Sequence, residues 1–331
     1  MATVVQSPIR KQLLEAFAEA NGEFLSGQTL AKILGCSRTA VWKHIEELRK
    51  EGYQLEAVRK KGYRIVQAPD KVTENEIQFG LQTKRLGQTI YYEESVESTQ
   101  QIAHRLSYEG YPEGTLVISE EQVAGRGRMT RSWYSPKYTG IWMSLILRPN
   151  LPPQKAPQFT LIAAVAISQA IEEISGIEAE IKWPNDILIR GKKVTGILTE
   201  LQADADKIHS IIIGMGVNVN QSSTDFAADI KPIATSIAIE AKKKIPRAQL
   251  VRRILEKLEI YYDLYMEEGF RPIKLMWESR AVSIGKNIIA RTINGTIEGK
   301  ALGITDEGIL QLEDAQGIIH HIYSADIEIK S

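Results

Sequence analysis

Residues 125–131 read Gly-Arg-Gly-Arg-Met-Thr-Arg, and residues 182–186 read Lys-Trp-Pro-Asn-Asp. Three guanidiniums on a glycine-punctuated loop suit an anion, because glycine lets backbone N–H groups come close and arginine offers forked, permanently charged donors. A phosphate or a mixed anhydride fits that description. Taken alone, the stretch is equally compatible with a solvated surface loop. It is not a dinucleotide fingerprint, since Gly125-x-Gly127 lacks the third glycine, and no Gly-x-x-x-x-Gly-Lys-Ser/Thr phosphate loop occurs in the chain. Lys182 directly precedes a rigid Trp-Pro pair at the end of an expected strand, which would aim its ammonium inward; a surface ion pair is the plainer alternative.

These residues need a scaffold, and the apolar pattern predicts one. Strand-like runs span 115–120, 141–147, 179–183, 194–201 and 210–219, and long helical patterns span 156–175 and 248–268. Helices with Ala, Ile and Leu on their inner faces imply a mixed sheet with helices packed against it. From Val282 the texture changes to short apolar strands parted by Asn294-Gly295, Asp306-Glu307-Gly308 and Gln316-Gly317 turns, the spacing of a small barrel. His320 and His321 alternate faces there and are poor candidates for one metal site.

The first 66 residues form a different unit. Ile9, Leu13, Leu14, Phe17 and Ala20 repeat at helical spacing up to Asn21-Gly22; Ser26 can cap a short second helix bearing Leu30, Ile33 and Leu34. Gly35 then provides a tight turn, and Ser37 can cap a third helix whose Val41, Ile45 and Leu48 face inward. Arg38, Thr39, Trp42 and Lys43 lie on its outer side, where a major groove could be read. Two strand-like runs, 53–58 and 62–66, make a hairpin with Arg59, Lys60 and Lys61 at its tip, as a DNA-binding winged helix requires. A protein-contact module with solvated lysines is the competing reading. Pro69 and the polar stretch 70–74 mark the expected linker.

At 331 residues the chain exceeds one ordinary core. Its 41 basic and 41 acidic residues balance, but residues 1–66 hold eleven Lys or Arg against seven Asp or Glu, leaving the rest four negative. A single cysteine, Cys36, excludes an internal disulfide and a cysteine zinc cluster within one chain, and is expected to be a small buried residue. There is no run of about 20 apolar residues, and Met1–Gln6 lacks the features of a leader, so a cytoplasmic protein without membrane contact is expected.

Five strings occur in an order that resembles the biotin-protein ligases: Glu97-Ser98-Thr99; Gln122 to Arg128 with Trp133 behind it; Lys182 to Asp186; Lys193-Val194-Thr195-Gly196-Ile197-Leu198; and Gly214-Met215-Gly216-Val217-Asn218. The resemblance implies a multidomain α+β chain: a winged helix-turn-helix at 1–66, a mixed-sheet, class II synthetase-like ligase domain at 67–278, related to lipoate ligases, and an SH3-like β-barrel at 279–331. It implies biotin-[acetyl-CoA-carboxylase] ligase chemistry. Biotin's carboxylate attacks ATP to give biotinyl-adenylate, and biotin then passes to a lysine of a biotin carboxyl carrier protein domain. The winged helix resembles that of ligases which also repress biotin genes, so operator DNA and an adenylate-bound homodimer are implied as partners.

Carried onto these positions, Lys182, Arg126 and Arg128 are the expected catalytic cations. Biotin is expected on Ser98, Thr99, Gln100, Gln122, Arg126, Gly127, Arg128, Lys182, Gly196, Ile197 and Leu198; the family commonly has Asn where Gln100 stands. Ser98 and Thr99 could instead serve as helix caps, and the glycines could mark a β-bulge. The nucleotide is expected on Arg128, Trp133, Asn185 and Asn218, with Mg2+ accompanying ATP on ligands the sequence leaves unknown. DNA contacts are expected from Arg38, Thr39, Trp42, Lys43, Lys60 and Lys61. Two alternatives stand beside this reading: a non-catalytic ligand-sensing repressor, which has no use for phosphate-directed cations, and lipoate ligation, which the biotin-type string at Arg126 disfavours.

Overall fold

A computed structural model describes residues 8–50 and 52–330 and divides into two units, one ending at Gln82 and one beginning at Thr83. The stretch Met1–Gln6, read above for a leader, lies outside the described residues. The first unit orders α1 (Pro8–Glu19), α2 (Gly27–Ile33), α3 (Arg38–Lys50), β1 (Gln54–Val58), β2 (Gly62–Gln67) and α4 (Glu74–Gln78). Leu13, Leu14 and Phe17 of α1, Leu30 of α2, and Val41, Ile45 and Leu48 of α3 make its core, against which Cys36 packs half-buried.

Both expected caps form: Ser26 Oγ accepts from Thr29 N at 3.0 Å, and Ser37 Oγ from Ala40 N at 3.2 Å. Leu25 and Tyr63 exchange backbone hydrogen bonds at 2.9 Å, an isolated bridge that fastens the turn before α2 to the two-stranded β1–β2 wing. Arg38, Thr39, Trp42 and Lys43 are exposed on α3, and Lys60 and Lys61 are exposed at the wing tip. The stretch expected as a linker instead folds into this unit, because Val72 and Ile77 are apolar enough to be buried and Tyr53 donates to Glu76 at 2.9 Å. Burial pushes the Glu76 carboxyl up, against that hydrogen bond.

The second unit continues with β3 (Ile90–Val96), α5 (Thr99–Tyr108), β4 (Leu116–Gln122), β5 (Gly140–Leu147), α6 (Ala156–Ser175), β6 (Glu180–Lys182), β7 (Asp186–Ile189), β8 (Lys192–Ala203), β9 (Ile208–Asn218), α7 (Ile237–Ala241), α8 (Arg247–Glu268) and α9 (Arg271–Glu278). Its seven-stranded sheet runs β3-β4-β5-β9-β8-β7-β6, parallel between β3 and β4 and antiparallel elsewhere. The unit closes with β10 (Asn287–Thr292), β11 (Gly295–Ile304), β12 (Leu310–Glu313), β13 (Ile319–Ile322) and β14 (Asp326–Ile329). The strands expected as a small barrel form a five-stranded antiparallel sheet of order β13-β12-β11-β10-β14, whose pairing does not join its two edges. No helix among the described residues is long and apolar enough to cross a membrane.

One buried ion pair ties α8 to the sheet. Arg247 Nη1 donates to Glu120 Oε2 at 2.7 Å and to Gly140 O at 3.0 Å, with both charged side chains fully buried. Removing one partner leaves the other charge uncompensated, so Arg247→Met is expected to destabilise the second unit by about 3–5 kcal/mol. Denaturant unfolding checks this, and the double variant with Glu120→Leu should recover much of the loss.

Candidate active site

A cavity of about 690 Å³ opens over the middle of the large sheet. Its head is the start of α5. Ser98 holds the N-cap position yet makes no side-chain cap bond, so its buried hydroxyl faces the cavity without a helical duty. Thr99 and Gln100 do bond within the wall: Thr99 Oγ1 lies 2.9 Å from Ser144 Oγ and 3.1 Å from Gln122 Oε1, while Ser144 donates to Gln100 Oε1 at 2.9 Å. Gln122 Oε1 also accepts from Thr99 N at 2.9 Å, and its amide donates to Ser135 Oγ at 3.0 Å.

The arginine loop folds back on itself. Gly127 N donates to Arg131 O at 2.7 Å and Trp133 N to Gly125 O at 2.8 Å, and Gly125 has no room for a side chain because a Cβ would stand 2.5 Å from Trp133 O. This fold lays the Trp133 indole on two glycines that pair directly across adjacent strands, Gly196 of β8 and Gly216 of β9. A Cβ on either would meet the ring at 2.9 Å and 2.4 Å respectively. Gly196, expected at the ligand, and Gly216 therefore admit the tryptophan, and no β-bulge interrupts their pairing. Gly216→Ala is expected to lift the indole and red-shift tryptophan emission; the same change in a Trp133→Phe background should shift nothing.

Charge gathers on the arginine loop and at the start of β8. Arg126, Arg128, Arg131 and Lys193 line the cavity, with Lys193 Nζ 5.2 Å above the Trp133 ring and 2.7 Å from Asp186 Oδ1, an ion pair whose angle misses that of a hydrogen bond. Arg128 donates to Asn185 Oδ1 at 3.0 Å and to Ser324 Oγ at 2.5 Å. Burial draws its guanidinium below the ordinary arginine range, against the pull of Asp186 and Asp326. Asn185 is held in turn by β8: its Nδ2 donates to Ile197 O at 3.0 Å, and Ile197 N donates to Asn185 O at 2.9 Å.

Arg131 grips both carboxylate oxygens of Asp326 from β14. The hydrogen bond from Arg131 holds the Asp326 carboxyl below the usual carboxylate range, with help from Arg128 and Lys182. A depressed carboxylate stabilises the fold above its unfolded pKa and loses that effect as pH falls through its folded value, so this grip should slacken below the ordinary aspartate range.

The cavity's remaining wall is the segment after β9. Asn218 Nδ2 donates to Thr235 O at 3.1 Å and its Oδ1 accepts from Gln221 at 3.2 Å, which carries Gln221, Phe226, Ile230 and Ile233 to the cavity edge. Among the described residues, no group of three or more His, Cys, Asp or Glu side chains could hold a metal ion.

Comparison with known proteins fits this geometry. The profile of the Biotin/lipoate A/B protein ligase family matches residues 92–218, an HTH domain matches 9–64, and the Biotin protein ligase C terminal domain matches 283–330. The chain is 58% identical over 325 residues to the bifunctional ligase/repressor BirA of Bacillus subtilis (strain 168), covering 98% of this chain and all of that protein. The chain belongs to the family of bifunctional biotin ligase/repressors. It is 29% identical over 313 residues to BirA of Escherichia coli (strain K12), covering 94% of this chain and 95% of that one. Among solved structures, the biotin protein ligase of Aquifex aeolicus in complex with biotin and ATP superposes with a TM-score of 0.64 at 29% identity, over 73% of this chain and 99% of that chain.

Of the residues expected at the ligase site, Ser98, Thr99, Gln100, Gln122, Arg126, Gly127, Arg128, Trp133, Asn185, Gly196, Ile197, Leu198 and Asn218 all line the cavity. Lys182 does not; it stands half-buried on β6, paired in register with Asp186, near enough to Asp326 to influence its carboxyl. Five contributors were given no role from the sequence: Ser144, Lys193, Ser324, Asp326 and the 221–234 segment. For Lys193 a signal existed, because it opens the family string that ends in Gly196-Ile197-Leu198.

Proposed function

We propose that this protein joins biotin to ATP, releasing pyrophosphate and forming biotinyl-5'-AMP, and then transfers biotin to a lysine of a biotin carboxyl carrier protein domain. The observation that carries the proposal is that one cavity is lined both by a set of neutral hydroxyls and amides at the start of α5 and by the cations of the arginine loop and Lys193. Biotin's ureido ring has uncharged donors and acceptors, which Ser98, Thr99, Gln100 and Gln122 match. Its carboxylate and the α-phosphate repel each other, and Arg126, Arg128 and Lys193 offer the charge that brings them together. No enzyme nucleophile is needed.

Trp133, seated on Gly196 and Gly216, forms the wall along biotin's tail and the adenosine side, while Ile197 and Leu198 supply apolar floor. Asn185 and Asn218 hold the two segments that border the nucleotide. Lys182 reaches the reacting oxygens from behind Asp326, so the contact of Asp326 with Arg131 is the one that ligand binding rearranges. Asp186, beside Arg128, would hold the Mg2+ that accompanies ATP, and the ion would supply charge neutralisation at the phosphates. The arginine loop, closed over the adenylate, excludes water that would hydrolyse the anhydride.

The regulatory half of the proposal is that the adenylate-bound protein forms a homodimer and represses biotin genes. Arg38, Thr39, Trp42 and Lys43 read the operator, and Lys60 and Lys61 contact its backbone. The parts are a winged helix at 1–66, extended by the segment through Gln82 that folds with it, a ligase domain ending at 278 and a C-terminal domain at 279–331 of the SH3-like class, in a cytoplasmic protein. Sedimentation and operator binding, each with and without biotin plus ATP, test this. Ligand should raise both the mass and the DNA affinity; no change in either would remove the regulatory role and leave a plain ligase.

A further inference from the structure

We infer that Ser144 and Gln100 form a hydrogen-bond relay that fixes the polarity of the cavity head, so that Thr99 shows a ligand an acceptor and no donor. The inference rests on the biotin-ligase reading and deepens it by naming what sets ligand selectivity there.

The relay starts in the backbone. Gln100 Nε2 faces Ile212 O at 3.2 Å and Leu198 O at 3.4 Å, and the Glu200 carboxylate also accepts from Gln100. All three groups only accept, so this end of the amide must be its NH2 and the other end its oxygen. That oxygen lies over Gly214, where a Cβ would stand 2.6 Å away, and Gly214 is the register partner of Ser144. Only a glycine there leaves space for the amide.

Gln100 Oε1 can only accept, so the single Ser144 proton goes to it across 2.9 Å. Ser144 Oγ, its proton committed, can then only accept from Thr99 Oγ1, also 2.9 Å away. Ser144 is fully buried, so no water competes for these bonds. Thr99 is left with lone pairs facing the cavity. Gln122 Oε1 is identified by the Thr99 N–H it accepts and is a second acceptor for the Thr99 hydroxyl at 3.1 Å, so neither route leaves that proton for the cavity. A hydroxyl showing only lone pairs suits a ligand N–H, as a cyclic urea presents, and opposes an isostere with ring oxygen in that place.

If Ser144 loses its hydroxyl, Gln122 Oε1, which already accepts the Thr99 N–H, is the wall acceptor left to the Thr99 proton, and that proton becomes freer to turn into the cavity against a ligand N–H. That turn disfavours the urea and favours the oxygen isostere. Ser144 is therefore a positioning residue, acting through Thr99.

Calorimetric dissociation constants for the full chain with biotin and with its two cyclic-carbamate isosteres, each having one ureido N–H replaced by oxygen, provide the test. The wild type should reject at least one isostere by a hundredfold or more, on the order expected where a buried polar partner is left unpaired. Ser144→Ala and Gln100→Met, which break the relay at different points, should each narrow that ratio at least tenfold. An unchanged ratio in both variants, with melting like the wild type's, would reduce Ser144 to packing and overturn the relay alone. Failure of the wild type to bind biotin would overturn the ligase reading and the relay together.

Discussion

Arg128→Gly is expected to convert a selective transferase into a source of diffusible acylating agent. Arg128 joins three parts of the second unit: the loop it belongs to, Asn185 of the 182–186 turn, and Ser324 beside β14. Without that fork the loop loses both a charge-assisted hold on the anhydride and its anchorage, and removing one charge from a desolvated pair typically costs about 2–5 kcal/mol, most of it in dissociation rate. The adenylate should escape roughly a hundredfold faster, and lysines on bystander proteins should become biotinylated. Mass-spectrometric mapping of labelled lysines in a protein mixture checks this. Retained selectivity for the carrier domain would place the cover elsewhere.

Lys182→Met should act on the chemical step. Electrostatic groups aimed at developing charge contribute about 10²–10³-fold each. Loss of Lys182 should slow biotin-dependent pyrophosphate release by that factor while biotin itself still binds, since Lys182 stands outside the cavity lining, beside Asp326. Single-turnover kinetics separates the two steps. An effect confined to biotin affinity would mean that Lys182 works only by holding down Asp326, the one influence its present position gives it.

The long apolar patterns were the most legible part of the chain. The helix expected over 156–175 occupies Ala156–Ser175, because one nearly continuous apolar run can be buried only as a helix between the sheet and α8. Two strands escaped. In β3, Glu93, Glu94 and Ser95 are exposed at the sheet's edge, so Ile90 and Val96 do not read as one alternating run. In β7, only Trp183, Pro184 and Asn185 separate it from β6, and a motif with strong chemical meaning conceals a hairpin. The linker was misplaced because Val72 and Ile77, two buried residues in a polar stretch, outweigh their neighbours in deciding where the segment lies.

The site was legible where its residues fall in strings and illegible where folding brings single residues from afar. Ser324 and Asp326 reach Arg128 and Arg131 across nearly two hundred positions, and no local pattern marks them. Ser144 sits in an apolar strand, where a serine reads as an ordinary small core residue until its two partners are seen. The glycines at 196 and 216 are places of close approach, and what approaches is the protein's own Trp133.

The central claim is that one cavity forces biotin's carboxylate onto the α-phosphate of ATP. Biotin labelled with ¹⁸O in both carboxylate oxygens, turned over with ATP and the carrier domain, tests it through the mass of the AMP released. A biotinyl-adenylate intermediate requires one labelled oxygen to remain on AMP; AMP without label would mean that no such anhydride forms and would contradict the account.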